Sequence, residues 1–171
     1  MQKTLSDNSK NNPSTKQFPK PPRGIKALPW RLPIWIYRLG LGSLMGNRFL
    51  LLNHIGRKSG QPRQAVLEVI RSFPAENRYL VVSGFGEASD WYQNIKKGPK
   101  VTIQVGRKKI KAIAEQLDPE SAGETMVIYA QNNPGAIKTL SGLLGYEIDH
   151  TPAGYRSFGK RIPVIQFTPL I

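Results

Sequence analysis

The sequence predicts an α+β fold that is mainly β: an antiparallel, barrel-like sheet with helices at the N-terminus and before the last strand. Three observations lead there. Between residues 49 and 116 five short runs are either continuously apolar or alternate apolar with polar residues, the period of two expected of strands. The links between the first three runs are too short for the helical crossovers that parallel neighbours require, which disfavours a doubly wound sheet. Helix-start signals gather late, ahead of a final apolar run at residues 162–168. A length of 171 residues suits one domain with a real core rather than two and a linker.

In chain order, residues 1–29 read as a disordered basic arm. Pro13, Pro19, Pro21, Pro22 and Pro29 stand there among Lys, Asn and Ser, and such a composition buries too little apolar surface to offset ordering. Residues 30–171 read as the single folded domain. In residues 30–45, Trp30, Ile34, Tyr37 and Leu41 gather on one helical face flanked by Arg31 and Arg38. That helix packs on the core, or lies on a membrane or over a cofactor pocket. Strands follow at residues 49–55, 64–72 and 79–83. A short helix at 89–97 is closed by Gly98-Pro99. Strands at 100–105 and 108–116 form a hairpin through Gly106-Arg107. Asp118-Pro119-Glu120 supplies an N-cap, a first-turn proline and an acidic first turn for a helix running to about Asn132. A further helix at 134–144 precedes the last strand.

Composition excludes several kinds of chemistry. Without cysteine there are no disulfides, thiolate metal sites or cysteine nucleophiles, and the only histidines, His54 and His150, are too far apart in sequence for a helical ligand pair. No metal site is expected. Neither a secretory leader nor a membrane span is apparent, so a cytoplasmic location is expected, with peripheral membrane contact through residues 30–45 as the alternative. The charge of +14 is lopsided: residues 1–71 hold thirteen basic and two acidic side chains, which asks for an anionic partner.

Two motifs carry the chemistry. The turn Gly56-Arg57-Lys58-Ser59-Gly60-Gln61-Pro62-Arg63 combines two glycines for tight turning with three cations and a hydroxyl, a mixture suited to phosphate or carboxylate groups. It lacks the Walker order and lies between strands, so it is no nucleotide P-loop. The second motif is Val82-Ser83-Gly84-Phe85-Gly86 at a strand end, followed by Trp91-Tyr92-Gln93-Asn94. Exposed backbone N–H groups and a helix N-terminus there would face an anion or an electron-rich ring edge; otherwise it is a strand-to-helix turn with Trp91 in the core.

Together with Leu50-Leu51-Leu52, Tyr79-Leu80-Val81-Val82-Ser83 and the Pro99-Lys100-Val101 to Gly106 strand, these motifs resemble the deazaflavin-dependent nitroreductase family, over residues 49–116. The resemblance implies a split β-barrel related to flavin mononucleotide (FMN)-binding barrels, and a binder of coenzyme F-420, an 8-hydroxy-5-deazaflavin. It implies that Arg57, Lys58, Ser59 and Arg63 hold the phosphate and oligoglutamate tail, and that Gln64, Ala65, Val66, Leu67 and Glu68 line the ring side. Val82, Ser83, Gly84, Asp90, Trp91, Tyr92 and Asn94 would complete the cradle. The chain departs from the family at Asn53 and His54, where a small hydroxyl residue is usual, and at Gly84, where a lysine is usual, so one tail cation is missing. His54 reads either as a pocket-facing group or as an ordinary strand residue.

The function implied is transfer of hydride between the reduced coenzyme and a small electron-poor acceptor, a quinone, enone or nitroaromatic, with no protein nucleophile. Candidate proton donors are Ser83, Tyr129, Tyr146 and Tyr155, each with an alternative role in packing. FMN, haem or a lipid could replace the deazaflavin on the same cationic turn. A nonspecific nucleic-acid or anionic-membrane binder is the other reading, motivated by the arm and by Arg107-Lys108-Lys109-Ile110-Lys111. No recognition motif for specific nucleic-acid binding accompanies that run, and it reads as a solvated strand edge. Homodimers are expected by family analogy only.

Overall fold

Six strands close into an antiparallel barrel in the computed structural model, which describes residues 48–143 and 145–170. The strands are β1 (Phe49–Ile55), β2 (Pro62–Phe73), β3 (Arg78–Val82), β4 (Lys100–Val105), β5 (Lys108–Gln116) and β6 (Val164–Pro169), and their order around the barrel is β1-β2-β3-β6-β5-β4. The helices are α1 (Asp90–Lys97), α2 (Pro119–Asn132), α3 (Pro134–Leu143) and α4 (Pro152–Arg161). The expected arm at 1–29 and helix at 30–45 lie outside the described residues.

Alternation sorts each strand into an inner and an outer set. Leu50 and Leu52 of β1 point inward with Leu67 of β2, Val81 of β3, Ile103 of β4, Ala112 of β5 and Phe167 of β6, most of them without solvent contact. The β4–β5 hairpin forms as expected: Val105 pairs with Lys108, and Gly106 takes φ +56° at the first turn position, where a side chain would be strained.

A second core lies outside the barrel. Ile70, Leu80 and Val164 face outward from β2, β3 and β6 against Met126, Ile137 and Phe158 of the helices. Asp118 caps α2 by accepting from the Ser121 N–H at 2.9 Å. Helices α2 and α4 approach closely because Gly159 offers no Cβ; one placed there would sit 2.6 Å from the Ala122 carbonyl oxygen. α4 was not expected from the sequence. It starts at Thr151, whose hydroxyl accepts from Gly154 N–H at 3.1 Å, with Pro152 in its first turn. Its glycines, Gly154 and Gly159, weaken the local helix signal and serve packing instead.

Candidate anion-binding site at the barrel mouth

The basic turn joins β1 to β2 at one mouth of the barrel, and α1 covers that mouth by sending Tyr92 and Ile95 into the interior. Within the turn, the N–H of Gly60 donates to the Gly56 carbonyl at 2.8 Å and that of Gly56 to the Gln61 carbonyl at 2.9 Å. Gly60 has φ +65°, the left-handed conformation that favours glycine. At Gly56 a Cβ would meet Ser59 Oγ at 2.7 Å, so a side chain there would turn that hydroxyl aside.

α1 anchors this turn from outside. The Arg57 N–H donates to Asn94 Oδ1 at 3.0 Å, and Arg57 Nη1 donates to the same oxygen at 3.0 Å and to Asp90 Oδ1 at 3.0 Å. Lys97 Nζ reaches the Arg57 carbonyl at 3.2 Å. The three cations of the motif therefore divide. Arg57 is spent on the protein, whereas Lys58 and Arg63 are exposed and make no ion pair among the described residues. Ser59 Oγ accepts from the Gln61 N–H at 3.3 Å, which leaves its own proton to donate. Two uncommitted cations and a hydroxyl on a braced turn form a donor set suited to a phosphate or carboxylate.

Asn94 also reaches inward. Its amide is 3.2 Å from Nδ1 of His54, which is 6% exposed and lies opposite Arg63 in the β1–β2 register. Burial holds the His54 imidazole below the usual 6.5, with a smaller push the same way from Arg63; a bond to the Ile55 backbone and the Asp90 charge pull it back up. His54 thus points inward from β1 and meets Asn94 beneath the turn. Its place in alternation with Leu50 and Leu52 was the available signal.

The β2 residues split between the two sides of the sheet. Ala65 and Leu67 go to the barrel interior, while Gln64, Val66 and Glu68 take the outer face. Gln64 donates to Asn53 Oδ1 at 2.8 Å. Glu68 accepts from the Tyr129 hydroxyl of α2 at 2.9 Å and pairs with Arg48 at 3.3 Å. At the end of β3, with Val82 and Gly84 half-buried, Ser83 is fully buried. Its hydroxyl lies 2.7 Å from the Gly86 carbonyl oxygen and 2.8 Å from Ser89 Oγ, so its single proton is committed within the loop. Tyr92 is core, its hydroxyl donating to Gln116 Oε1 at 2.6 Å, and Trp91 packs half-buried beside the barrel core.

Of the four candidate proton donors, none has its hydroxyl placed at the turn. Burial and the facing Glu68 carboxylate push the Tyr129 hydroxyl far above its ordinary 10. Tyr146 packs edge-on to Phe158 in the helical layer, and burial pushes it up to about 12. Tyr155 lies 3.4 Å from His150 Nδ1. Structure thus brings together the turn, α1 and the β3 end, and places Tyr129, Tyr146 and Tyr155 with the outer helices. Among the described residues no helix is long and apolar enough to cross a membrane.

Comparison with known proteins gives a consistent picture. The family model described as F420H(2)-dependent quinone reductase matches residues 31–140. F420H(2)-dependent quinone reductases of two Mycobacterium tuberculosis strains, H37Rv and CDC 1551, are each 36% identical over 105 residues; the alignment covers 56% of this chain and 66% of theirs. Among solved structures, one described as a domain-swapped dimer matches with TM-score 0.50 at 20% identity, covering 82% of this chain and 98% of that one. A protein of unknown function from Agrobacterium tumefaciens matches with TM-score 0.51 at 12% identity, covering 81% of this chain and 55% of that one. At those identities the structural matches speak for the barrel fold alone.

Proposed function

The chain belongs to the F420H(2)-dependent quinone reductase family, and from that premise we propose that it is a deazaflavin-dependent oxidoreductase. It carries hydride between reduced coenzyme F-420 and a small electron-poor acceptor of the quinone, enone or nitroaromatic kind. The observation that carries this reading is the division of labour in the basic turn. Arg57 fastens it to α1, and Lys58 and Arg63 are left exposed without a carboxylate partner among the described residues.

In this reading Lys58, Arg63 and the Ser59 hydroxyl take the coenzyme's phosphate and acidic tail, and the β3 end with Gly84 lies beside the ring. The chemistry supplied on binding is hydride transfer, and the chain contributes binding, orientation and electrostatics. Bracing by Arg57 and Asn94 lowers the cost of ordering the turn when the anion arrives. Ala65, Leu67 and Tyr92 act as barrel core beneath the site. Ser83 orders the loop after β3. Glu68 and Tyr129 tie α2 to the barrel.

The test is a titration of the purified chain with coenzyme F-420 carrying its tail, with the tail-less deazaflavin and with FMN, followed by turnover of a quinone. Tight binding of the tailed form, weaker binding of the tail-less form and quinone reduction are expected. Equal affinity for tailed and tail-less forms would remove the clamp, and preference for FMN would remove the deazaflavin.

A further inference from the structure

Outside the proposed clamp, His54, Asn94, Arg57 and Asp90 form a hydrogen-bonded network beneath the turn. We propose that Asn94 and His54 are positioning residues for the anion-binding turn: Asn94 seats the Arg57 backbone, and neutral His54 fixes which way the Asn94 amide faces. The proposal rests on the functional reading above for what the turn binds, and on geometry alone for how the turn is held.

Hydrogen-bond logic determines every member. A backbone N–H and a guanidinium can only donate, so the Asn94 atom that meets Arg57 N and Arg57 Nη1, both at 3.0 Å, must be the amide oxygen. The other end of the amide, an NH2 group that can only donate, therefore faces His54 Nδ1 at 3.2 Å. Nδ1 must accept, so His54 is neutral and carries its proton on Nε2. Both residues are 6% exposed, which leaves little room for water to replace a lost partner.

The charged groups around His54 are Arg63 on β2, Arg57 on the turn and Asp90 on α1, with Lys97 of α1 on the Arg57 carbonyl. Burial is the largest influence on the ring and, with Arg63, favours its neutral form, against the Ile55 backbone and Asp90, whose carboxylate is paired with Arg57. Protonation would put an N–H against an NH2 group. Relief requires the amide to turn over, which takes its oxygen away from the Arg57 N–H. The seat is thus intact above the ordinary histidine value of 6.5 and is lost as pH falls through the lower value His54 has in the fold.

Two measurements decide this. In ligand-free, nitrogen-15-labelled protein at pH 7, long-range imidazole correlations should show His54 as the neutral Nε2–H form. Asn94→Asp should move a proton onto Nδ1, as the Nδ1–H tautomer or as imidazolium, because a carboxylate that only accepts then faces it. An Nδ1–H form or a charged ring in the wild type, or a ring still in the Nε2–H form in Asn94→Asp, overturns the proposal. In coenzyme F-420 titrations, His54→Leu should weaken binding about tenfold, the scale of one buried hydrogen bond. His54→Asn, which returns an acceptor near the Nδ1 position, should stay within about twofold of wild type and abolish the His54-linked acid loss. Equal losses for Leu and Asn would overturn the positioning role. If wild type binds no coenzyme, the functional reading fails while the imidazole spectra still decide the seat.

Discussion

Replacing Arg57 and Lys58 one at a time with alanine separates holding the turn from using it, although the two are adjacent and alike in charge. Arg57→Ala removes an ion pair to Asp90 whose side chains are 27% and 75% exposed, worth about 0.2–1 kcal/mol at that exposure. It also removes the charged donor to Asn94 Oδ1, worth about 1.5–2 kcal/mol where partly buried. The expected loss of stability is about 2–3 kcal/mol, which lowers the melting temperature by about 4–12 °C for a domain of this size. Lys58 is exposed and makes no ion pair among the described residues, so Lys58→Ala should change stability by less than about 0.5 kcal/mol. Its cost should fall on coenzyme binding, by about 1–3 kcal/mol or about 5- to 150-fold in Kd, and the difference from wild type should shrink as salt rises. Scanning calorimetry and fluorescence titration on the same preparations read both quantities. The reasoning is refuted if Lys58→Ala melts like Arg57→Ala with unchanged Kd, or if Arg57→Ala loses affinity at an unchanged melting temperature.

Gly159→Ala should destabilise by about 1–3 kcal/mol despite its better helix propensity, since the new methyl meets the Ala122 carbonyl at 2.6 Å and the Gly123 Cα at 2.8 Å. Gly135→Ala on α3 has nothing within 4 Å and should be neutral or stabilising by up to about 1 kcal/mol; the pair is compared by urea midpoint. Ser83→Ala leaves the buried end of β3 without the donor to Gly86 and should cost about 1–3 kcal/mol in thermal unfolding while leaving bound-state hydride transfer unchanged, because that proton is committed to the Gly86 carbonyl. Stability should fall as pH drops below about 6.5, because unfolded His54 gains a proton more readily than the buried ring; in His54→Asn that component of the slope disappears from calorimetric scans.

Features that depend on neighbours along the chain were readable from the residues. Alternation located the barrel strands, Gly106-Arg107 located the hairpin, and Asp118-Pro119 located the start of α2 to the residue. The helix at 152–161 escaped because Gly154 and Gly159 look like breakers until their close neighbours are seen: the Asp149 backbone presses on Gly154, and α2 on Gly159. In the candidate site the turn itself was legible, but not the allegiance of its cations: Asp90 and Asn94 lie 33 and 37 residues beyond Arg57, and no local pattern tells which cation they take. Reading Gln64 to Glu68 as one lining ignored the period of two that places Ala65 and Leu67 in the core. For Tyr129, the partner Glu68 sits 61 residues earlier, and only the docking of α2 on the barrel brings them to 2.9 Å.

The strand order also sets a timetable for synthesis. β6 is made last of the six yet sits between β3 and β5, so on a ribosome five strands wait with two unsatisfied edges until residues 164–169 arrive. Sealing the barrel is a long-range event of the slow kind, and α2 to α4, emerging in the interval, cover the outer face of β3 meanwhile. A nascent chain arrested before β6 should therefore recruit chaperones or pair edge to edge with its neighbours, whereas one carrying β6 should not.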